Sequence, residues 1–433
     1  MRDLPFEVAP PHWKIERLDR LFRVIKEPAH LDDAPVSAFI DGVVTLRSNR
    51  PDAIIKGSGQ EIGYKHLEKG DLVISGMNAH LGGLGISDSS GKCTPVYTIL
   101  RKIVELDERY ISYYLWHAAQ TGYVKSLVNA VRYNSADFGP ETVKKFQVLV
   151  PPINEQIEIA TYLDEKVSKL DKLIRNYQTE LLLINQARNS YLTNLILGFP
   201  ARSPLKEIEN PEKDLAKLIP SSWTLLPLKH LVNCDNTGIW GEEPGALDVD
   251  IPISTTAHLT RNNEFLYDAM PIRSLSLSDW HKYRCNPGDI IVVKSSGSAD
   301  NIMSGKASLV TEGNPHFAFS NFLLRLRPKN LAMAPFLQTF LTSNITVERI
   351  KKMVSTTTYP NLKVEEYLNA LIPVPPETEA ARISREVLEY ESMFSLLYSK
   401  SERQISNLLE LKTSLISGSV TGVEAIDKFR SKV

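Results

Sequence analysis

The side chains in this sequence that could do chemistry sit in short polar loops, where Ser, Thr and Asn surround isolated basic or aromatic residues. In the first half these loops are Ser75-Gly76-Met77-Asn78-Ala79-His80 and Arg132-Tyr133-Asn134-Ser135. The second half has Lys294-Ser295-Ser296-Gly297-Ser298-Ala299-Asp300-Asn301, then Lys306, and later Ser355-Thr356-Thr357-Thr358-Tyr359-Pro360-Asn361. Amides, hydroxyls and cations of this kind read base edges in a DNA groove and hold phosphates. The candidate DNA-contacting residues are Asn78, His80, Arg132, Tyr133, Asn134, Ser135, Lys294, Ser295, Ser298, Asn301, Lys306, Thr356, Thr357, Thr358, Tyr359 and Asn361. Taken one at a time, each stretch is equally well an ordinary turn.

Catalytic constellations are missing. No Gly-x-x-x-x-Gly-Lys-Ser/Thr loop occurs, since Gly305-Lys306-Ala307-Ser308 has Asp300 where the first glycine belongs. Leu81-Gly82-Gly83-Leu84-Gly85 does not follow a strand and open a helix as a nucleotide cradle would, and reads as a structural turn. The Asn-Pro or Asp-Pro-Pro-aromatic quartet of an amino-methyltransferase is missing as well. Asp164-Glu165-Lys166 could belong to a nuclease but falls on the polar side of a predicted helix, where a solvated charge cluster is the plainer reading. The nine histidines do not cluster at metal-ligand spacing, so no metal site is expected. Three distant cysteines, Cys93, Cys234 and Cys285, read as reduced thiols.

Two long helical stretches must position these loops. The first runs from about Asn154 to Leu197 with Val167, Leu170, Ile174, Tyr177, Leu181 and Ile184 on alternating three- and four-residue steps. The second runs from about Thr378 to Ser417 with Val387, Phe394, Leu397, Leu408, Leu411 and Leu415 in the same rhythm. Such seams ask for a partner helix rather than a globular core. Asn154 and Thr378 are expected as the N-caps.

The halves repeat one another. Trp13 and Trp223 lie 210 positions apart, Gly70-Asp71 and Gly288-Asp289 lie 218 apart, and Pro151-Pro152 and Pro375-Pro376 lie 224 apart. Phe138 to Val150 also matches Leu362 to Val374 at 224, and Tyr133 and Asn134 fall at Thr357 and Thr358. A loop at the same place in two units, yet differing in sequence, suits paired modules that read different things. Residues 199–220, rich in proline and without periodicity, read as an exposed connection. The expected plan is two α/β units, each followed by a long helix, with the helices packed antiparallel and a head at each end.

Composition is that of an ordinary globular protein. Net charge is −1, and the halves are balanced: 19 Lys+Arg against 18 Asp+Glu in residues 1–150, and 14 against 14 in residues 221–370. A DNA binder is more often visibly basic, so any DNA surface must arise from asymmetric placement or be shared with another subunit. No apolar run is long enough for a membrane span, and a cytoplasmic location is expected.

Val150-Pro151-Pro152-Ile153-Asn154-Glu155-Gln156-Ile157, continued by Ala160 to Lys166 and Leu170 to Ile174, closely resembles the specificity subunit of type I restriction–modification enzymes. Leu411 to Gly422 is similar to that family's distal conserved segment. Thr378-Glu379-Ala380 departs from the pattern in lacking the glutamine found at Gln156. The resemblance implies a mixed α/β fold with target recognition domains at 1–150 and 221–374, antiparallel coiled-coil helices at 151–200 and 375–422, a connection at 201–220 and a tail at 423–433. It implies a non-catalytic reader of a bipartite double-stranded DNA target. Its partners would be methyltransferase subunits, two of them, with a restriction–translocase subunit where the system has one. S-adenosylmethionine, ATP and Mg would belong to those partners, and this chain itself would bind no cofactor. Two rivals remain at this point, a coiled-coil adaptor that binds protein and an enzyme with an unfamiliar site.

Overall fold

The structure, a computed structural model, describes residues 9–50, 62–127, 130–132, 135–136, 138–208, 215, 217–260, 263–295, 297–298, 301–302, 304–313, 315–353 and 361–423. Helix and sheet are mixed throughout. Two compact units result, Met1–Thr179 with Ser401–Val433, and Glu180–Lys400. The helix Ile153–Ile196, of 44 residues, and the helix Glu377–Thr421, of 45, each contribute one stretch to either unit. No helix among the described residues is long and apolar enough to cross a membrane.

Each unit is built on a four-stranded antiparallel sheet. In the first unit the order is Phe22–Ile25, Tyr97–Lys102, Leu72–Ser75, Leu84–Ile86. In the second it is Val232–Asp235, Leu323–Pro328, Ile290–Val293, Ala307–Leu309. The strand Leu72–Ser75 is buried at every position, as is Ile290–Val293, because both sheet faces are covered. Leu72 and Ile74 join the helix-side core while Val73 joins a second cluster with Ile25, Val36, Leu67 and Ile99. Ile290 and Val292 likewise face the helices, and Ile291 and Val293 face Phe317, Phe319 and Leu259. Period-2 alternation with both faces apolar is the signature of such a sandwiched strand.

The Gly-Asp pair before each central strand has a physical reason. Gly70 and Gly288 take φ of +92° and +90°, a left-handed turn in which glycine meets no Cβ penalty. The next residue is a buried aspartate. Asp71 accepts the backbone N–H of Glu68 and two bonds from Arg101, at 2.8 and 2.9 Å. Asp289 accepts the N–H of Asn286 and two bonds from Arg327, at 2.7 and 2.8 Å. The arginine comes from the neighbouring strand in both units, so one bidentate pair fixes turn, strand and register together.

The tryptophan entry ties each head to the helices. Trp13 donates its indole N–H to Glu155 at 2.9 Å, and Trp223 donates to Glu379 at 2.9 Å. The glutamates stand in the first turns of the two long helices. Gly422, at the end of the second long helix, packs so closely on Pro10 and Trp13 that a Cβ would come within 2.3 Å of the Pro10 ring. Gly198, just past the first long helix, is equally close to Pro220 and Trp223. In the first unit, therefore, the start of one helix lies beside the end of the other, and the helices run antiparallel there. The same holds in the second unit, where Arg188 pairs with Glu391 and Tyr191 stacks on Tyr390 with centroids 3.7 Å apart.

The helix seams match expectation in part. Val167, Leu170, Ile174, Val387 and Phe394 are buried, and Tyr177, Leu181, Ile184, Leu408 and Leu415 are half-buried. Leu397 and Leu411 are corrections, for both are exposed, Leu411 at 53%. After Phe394 the inward positions are Tyr398, Ser401, Ile405, Leu408 and Lys412, so the four-residue step precedes the three-residue one. Lys412 takes the inward place because its ammonium meets the Asp171 carboxylate at 2.8 Å and lies over the Trp116 ring. The helices also begin earlier than the expected caps, at Ile153 and Glu377; the carbonyls of Pro152 and Pro376 accept the first helical bonds, leaving Asn154 and Thr378 inside the first turn. The connection is more ordered than its composition suggests. Leu205–Glu207 pairs with Leu218–Pro220, and Ile208, Leu215 and Ile219 enter the second unit's core.

Two outcomes are expected. Trp223→Phe removes a hydrogen bond to a charged acceptor while keeping the ring, and should lower stability by about 2 kcal/mol in urea unfolding. Separately, burial pushes the His117 pKa down to about 4, and neither ring nitrogen has a partner among the described residues. A folded pKa below the unfolded value of about 6.5 gives stability that is complete above 6.5 and lost as pH falls towards 4. Melting of wild type against His117→Leu between pH 7.5 and 4.5 should show that component, on the order of 3 kcal/mol, in wild type alone.

Candidate nucleic-acid interface

The loops that the sequence singles out converge at one end of the central sheet, separately in each unit. In the first unit the chain leaves Leu72–Ser75 at Gly76, whose N–H donates to the Val96 carbonyl at 3.0 Å, just before the strand Tyr97–Lys102. Thr98 on that strand donates to the Phe138 carbonyl at 2.7 Å, which brings in the chain that follows the ladder of Ala130–Arg132 with Ser135–Ala136. In the second unit the chain leaves Ile290–Val293 at Lys294, whose N–H donates to the Phe322 carbonyl at 2.8 Å, just before Leu323–Pro328. Leu362 donates to the Lys294 carbonyl at 2.8 Å, and Ser295 bridges Asn361. Three segments meet in each case: after one strand, before its neighbour, and before the short helix that leads to the long one.

Asn78 is exposed on a turn whose N–H bonds the Ser75 hydroxyl at 3.2 Å. His80 is half-buried beside it in the short helix Ala79–Leu81. Arg132 and Ser135 face each other in their ladder, while Tyr133 and Asn134 lie outside the described residues. Lys294, Ser295 and Asn361 are brought together, and the Lys294 ammonium rests on the Asn236 carbonyl at 2.9 Å. Ser298 and Asn301 pair across a tight ladder that follows directly. Lys306 lies next to the same strand end, but its ammonium is directed to the Thr260 carbonyl at 3.0 Å. Thr356, Thr357, Thr358 and Tyr359 lie outside the described residues.

Sequence reasoning missed the apolar part of this surface. Trp240 and Phe322 are 46% and 47% exposed, with ring centroids 5.9 Å apart in an edge-on arrangement. Phe322 accepts the Lys294 N–H, so the aromatic pair stands directly beside the basic residue. Its counterpart in the first unit, by strand position, is the exposed Val96, with Met77 exposed on the adjoining loop. Trp240 lies in Gly238-Ile239-Trp240-Gly241, and a tryptophan between glycines in a polar stretch was an available signal. Phe322 carried none, since it precedes an apolar strand and reads as part of it.

The remaining reactive groups are occupied structurally. All three thiols are free; burial pushes Cys93 up to about 12, Cys234 up to about 11 and Cys285 higher, so none is a thiolate near neutrality. Asp164 accepts from Arg109 and from the Tyr113 hydroxyl, both at 2.9 Å, and so ties the long helix to Glu108–Gln120. Gln156 is buried, bonding the Pro151 carbonyl and the Asp107 N–H at 2.8 and 3.0 Å. At the corresponding place in the second unit is Ala380, and there Asn330 bonds Glu377 at 3.0 Å.

The sequence matches no family model and no curated protein. One solved structure, from work on complex assembly and conformational transition of the type I R-M system, superposes with a TM-score of 0.59 over 96% of this chain and 99% of that one, at 16% identity. The two chains share a fold. The HsdS subunit from Thermoanaerobacter tengcongensis aligns at 13% identity and a TM-score of 0.45, covering 96% of this chain and 98% of that one. The type I restriction–modification S subunit from M. genitalium aligns at 14% and 0.41, covering 96% and 97%. The shared fold spans almost the full length of both chains in the first comparison, so it includes both sheets and both long helices.

An aromatic tip that serves binding rather than folding can be removed cheaply. Trp240→Ser is expected to change urea-unfolding stability by less than about 1 kcal/mol, the range of surface substitutions, whereas the buried Trp223 is not replaceable in this way.

Proposed function

We propose that this chain is the DNA sequence-specificity subunit of a type I restriction–modification complex. Each unit reads one half of a bipartite double-stranded target through its strand-end loops, and the long helices hold the methyltransferase subunits, two of them, with a restriction–translocase subunit where one exists. Methyl transfer and ATP-driven steps take place on those partners, with S-adenosylmethionine, ATP and Mg bound there. The observation that carries this reading is the repeated strand-end cluster: one backbone arrangement, made twice, with Gly76 and Val96 in one unit where Lys294 and Phe322 stand in the other. A conserved frame with exchanged side chains is what two modules of different sequence preference require. The likeness in fold to a component of a type I R-M system supports the assignment.

The near-zero net charge fits a shared grip on DNA, in which partner subunits supply many phosphate contacts. A surface for such partners is available on the helices. In the second unit Leu182 and Leu183 are exposed on one long helix, and Leu388 and Leu396, each 69% exposed, on the other. Apolar side chains set along exposed helix faces mark association sites in soluble proteins.

The test is DNA affinity of the assembled complex, measured by fluorescence anisotropy across salt concentrations. Lys294→Ala should weaken binding roughly 5–10-fold and make the log–log salt slope shallower by about 0.9 if its ammonium neutralises one phosphate, whereas a guanine contact would lower affinity for the target and leave non-specific binding unchanged. Trp240→Ser should weaken binding without altering the slope. Unchanged affinity in both variants would favour a protein-binding adaptor instead.

A further inference from the structure

His30, Asp33 and His66 are far apart in sequence and meet in the first unit. His66 belongs to the strand Lys65–Leu67, and His30 and Asp33 to a turn beside it. The turn is held there by backbone bonds from His66 to the Glu27 carbonyl at 2.9 Å and from Ala29 to the Tyr64 carbonyl at 3.1 Å. One nitrogen from each imidazole and one oxygen of Asp33 all lie within 4.8 Å of one another. We propose that these three side chains bind one divalent transition-metal ion, of which zinc is the type, and that the ion pins the 27–33 segment to the strand.

The donor set is suited to that class, since imidazole and carboxylate together favour zinc and its neighbours over calcium or magnesium. Spacing agrees as well. His66 Nδ1 lies 2.8 Å from one Asp33 oxygen, and His30 Nδ1 lies 4.0 Å from the other. Ligands of a single tetrahedral zinc ion at about 2.0–2.1 Å are roughly 3.3 Å apart, and the two distances bracket that value. The His30 side chain, 68% exposed, has room to turn and close the difference, and its ring already lies against that of His66 at 4.1 Å between centroids.

A second observation points the same way. Glu27 and Glu68 each place an oxygen within 4.8 Å of a nitrogen of His66. A histidine that ligates a metal with one nitrogen usually donates the other N–H to a carboxylate, which fixes its tautomer and raises its basicity. The neighbourhood also lacks positive charge. Glu27, Glu68 and Asp71 share Arg101, at 3.5, 3.4 and 2.8 Å, and Asp33 adds a fourth carboxylate, against which the ladder places only Lys92 opposite His66. Three protein ligands leave a fourth position for water or for a group from outside the chain. The 36 residues between His30 and His66 are why no spacing rule shows this cluster in the sequence.

The experiment is zinc titration of the tag-free full-length chain, stripped with EDTA and desalted, by calorimetry with metal content checked by mass spectrometry. One ion per chain with a submicromolar Kd is expected, together with a rise in Tm that EDTA reverses. His30→Ala, at an exposed position that does not threaten folding, should weaken binding roughly 100-fold or more, as should Asp33→Asn. No uptake at about 0.1 mM zinc, or uptake unaffected by both substitutions, would overturn the proposal and leave an ordinary His–Asp pair. DNA reading by the assembled complex is a separate property, and its loss or retention does not bear on this result.

Discussion

The hydrogen bond from each entry tryptophan to the glutamate at a helix start is the constraint on which the architecture depends. It joins three distant stretches of chain at one point. The strand that opens a unit, the first turn of one long helix and the closing glycine of the other all meet around Trp13, and a second such set meets around Trp223. A long amphipathic helix alone has no preferred partner or direction. By fixing one helix start against the other helix's end, the Trp–Glu pair selects antiparallel packing in each unit. Trp13 meets Tyr110 edge-on and Trp223 meets Phe336 in the same way, so the anchor continues into each core.

From that anchor the site follows. Each central sheet is covered on both faces, leaving no open face for a ligand. What remains accessible is the end of the sheet, where the chain passes from strand to strand through loops held by backbone bonds alone. Backbone bonding tolerates any side chain, so Gly76 can stand where Lys294 stands, and Val96 where Phe322 stands, without disturbing the frame. Stability lies in the buried Asp–Arg pairs and the tryptophan anchors, and variation is confined to the tips. That separation is what a recognition module needs if its specificity is to change while its fold does not.

Much of this was legible in the sequence because it is repeated. Each anchor used, the tryptophan entry, the Gly-Asp turn and the Pro-Pro helix start, proved to be a point where the backbone must do something unusual, such as adopt positive φ at Gly70 and Gly288. The less visible features depended on tertiary partners. Leu411 has the right spacing for the seam, yet Lys412 takes the inward place because Asp171 and Trp116 await it. Residues 199–220 look irregular, but Ile208, Leu215 and Ile219 find a core to enter. Phe322 could not be told from the strand that follows it. The His30–Asp33–His66 group is assembled only when the turn lies down beside its strand.

The central claim, that two modules of one frame read two halves of a DNA target, is tested most directly by mapping methylation with single-molecule sequencing. Cells would express this chain with its methyltransferase partner, either unchanged or with Lys294, Ser295, Phe322 and Asn361 exchanged together. The account predicts a bipartite motif that requires this chain, and an exchange that alters or abolishes recognition in one half while the other half stays as it was. A motif unchanged by the exchange, altered in both halves at once, or present without this chain would contradict it.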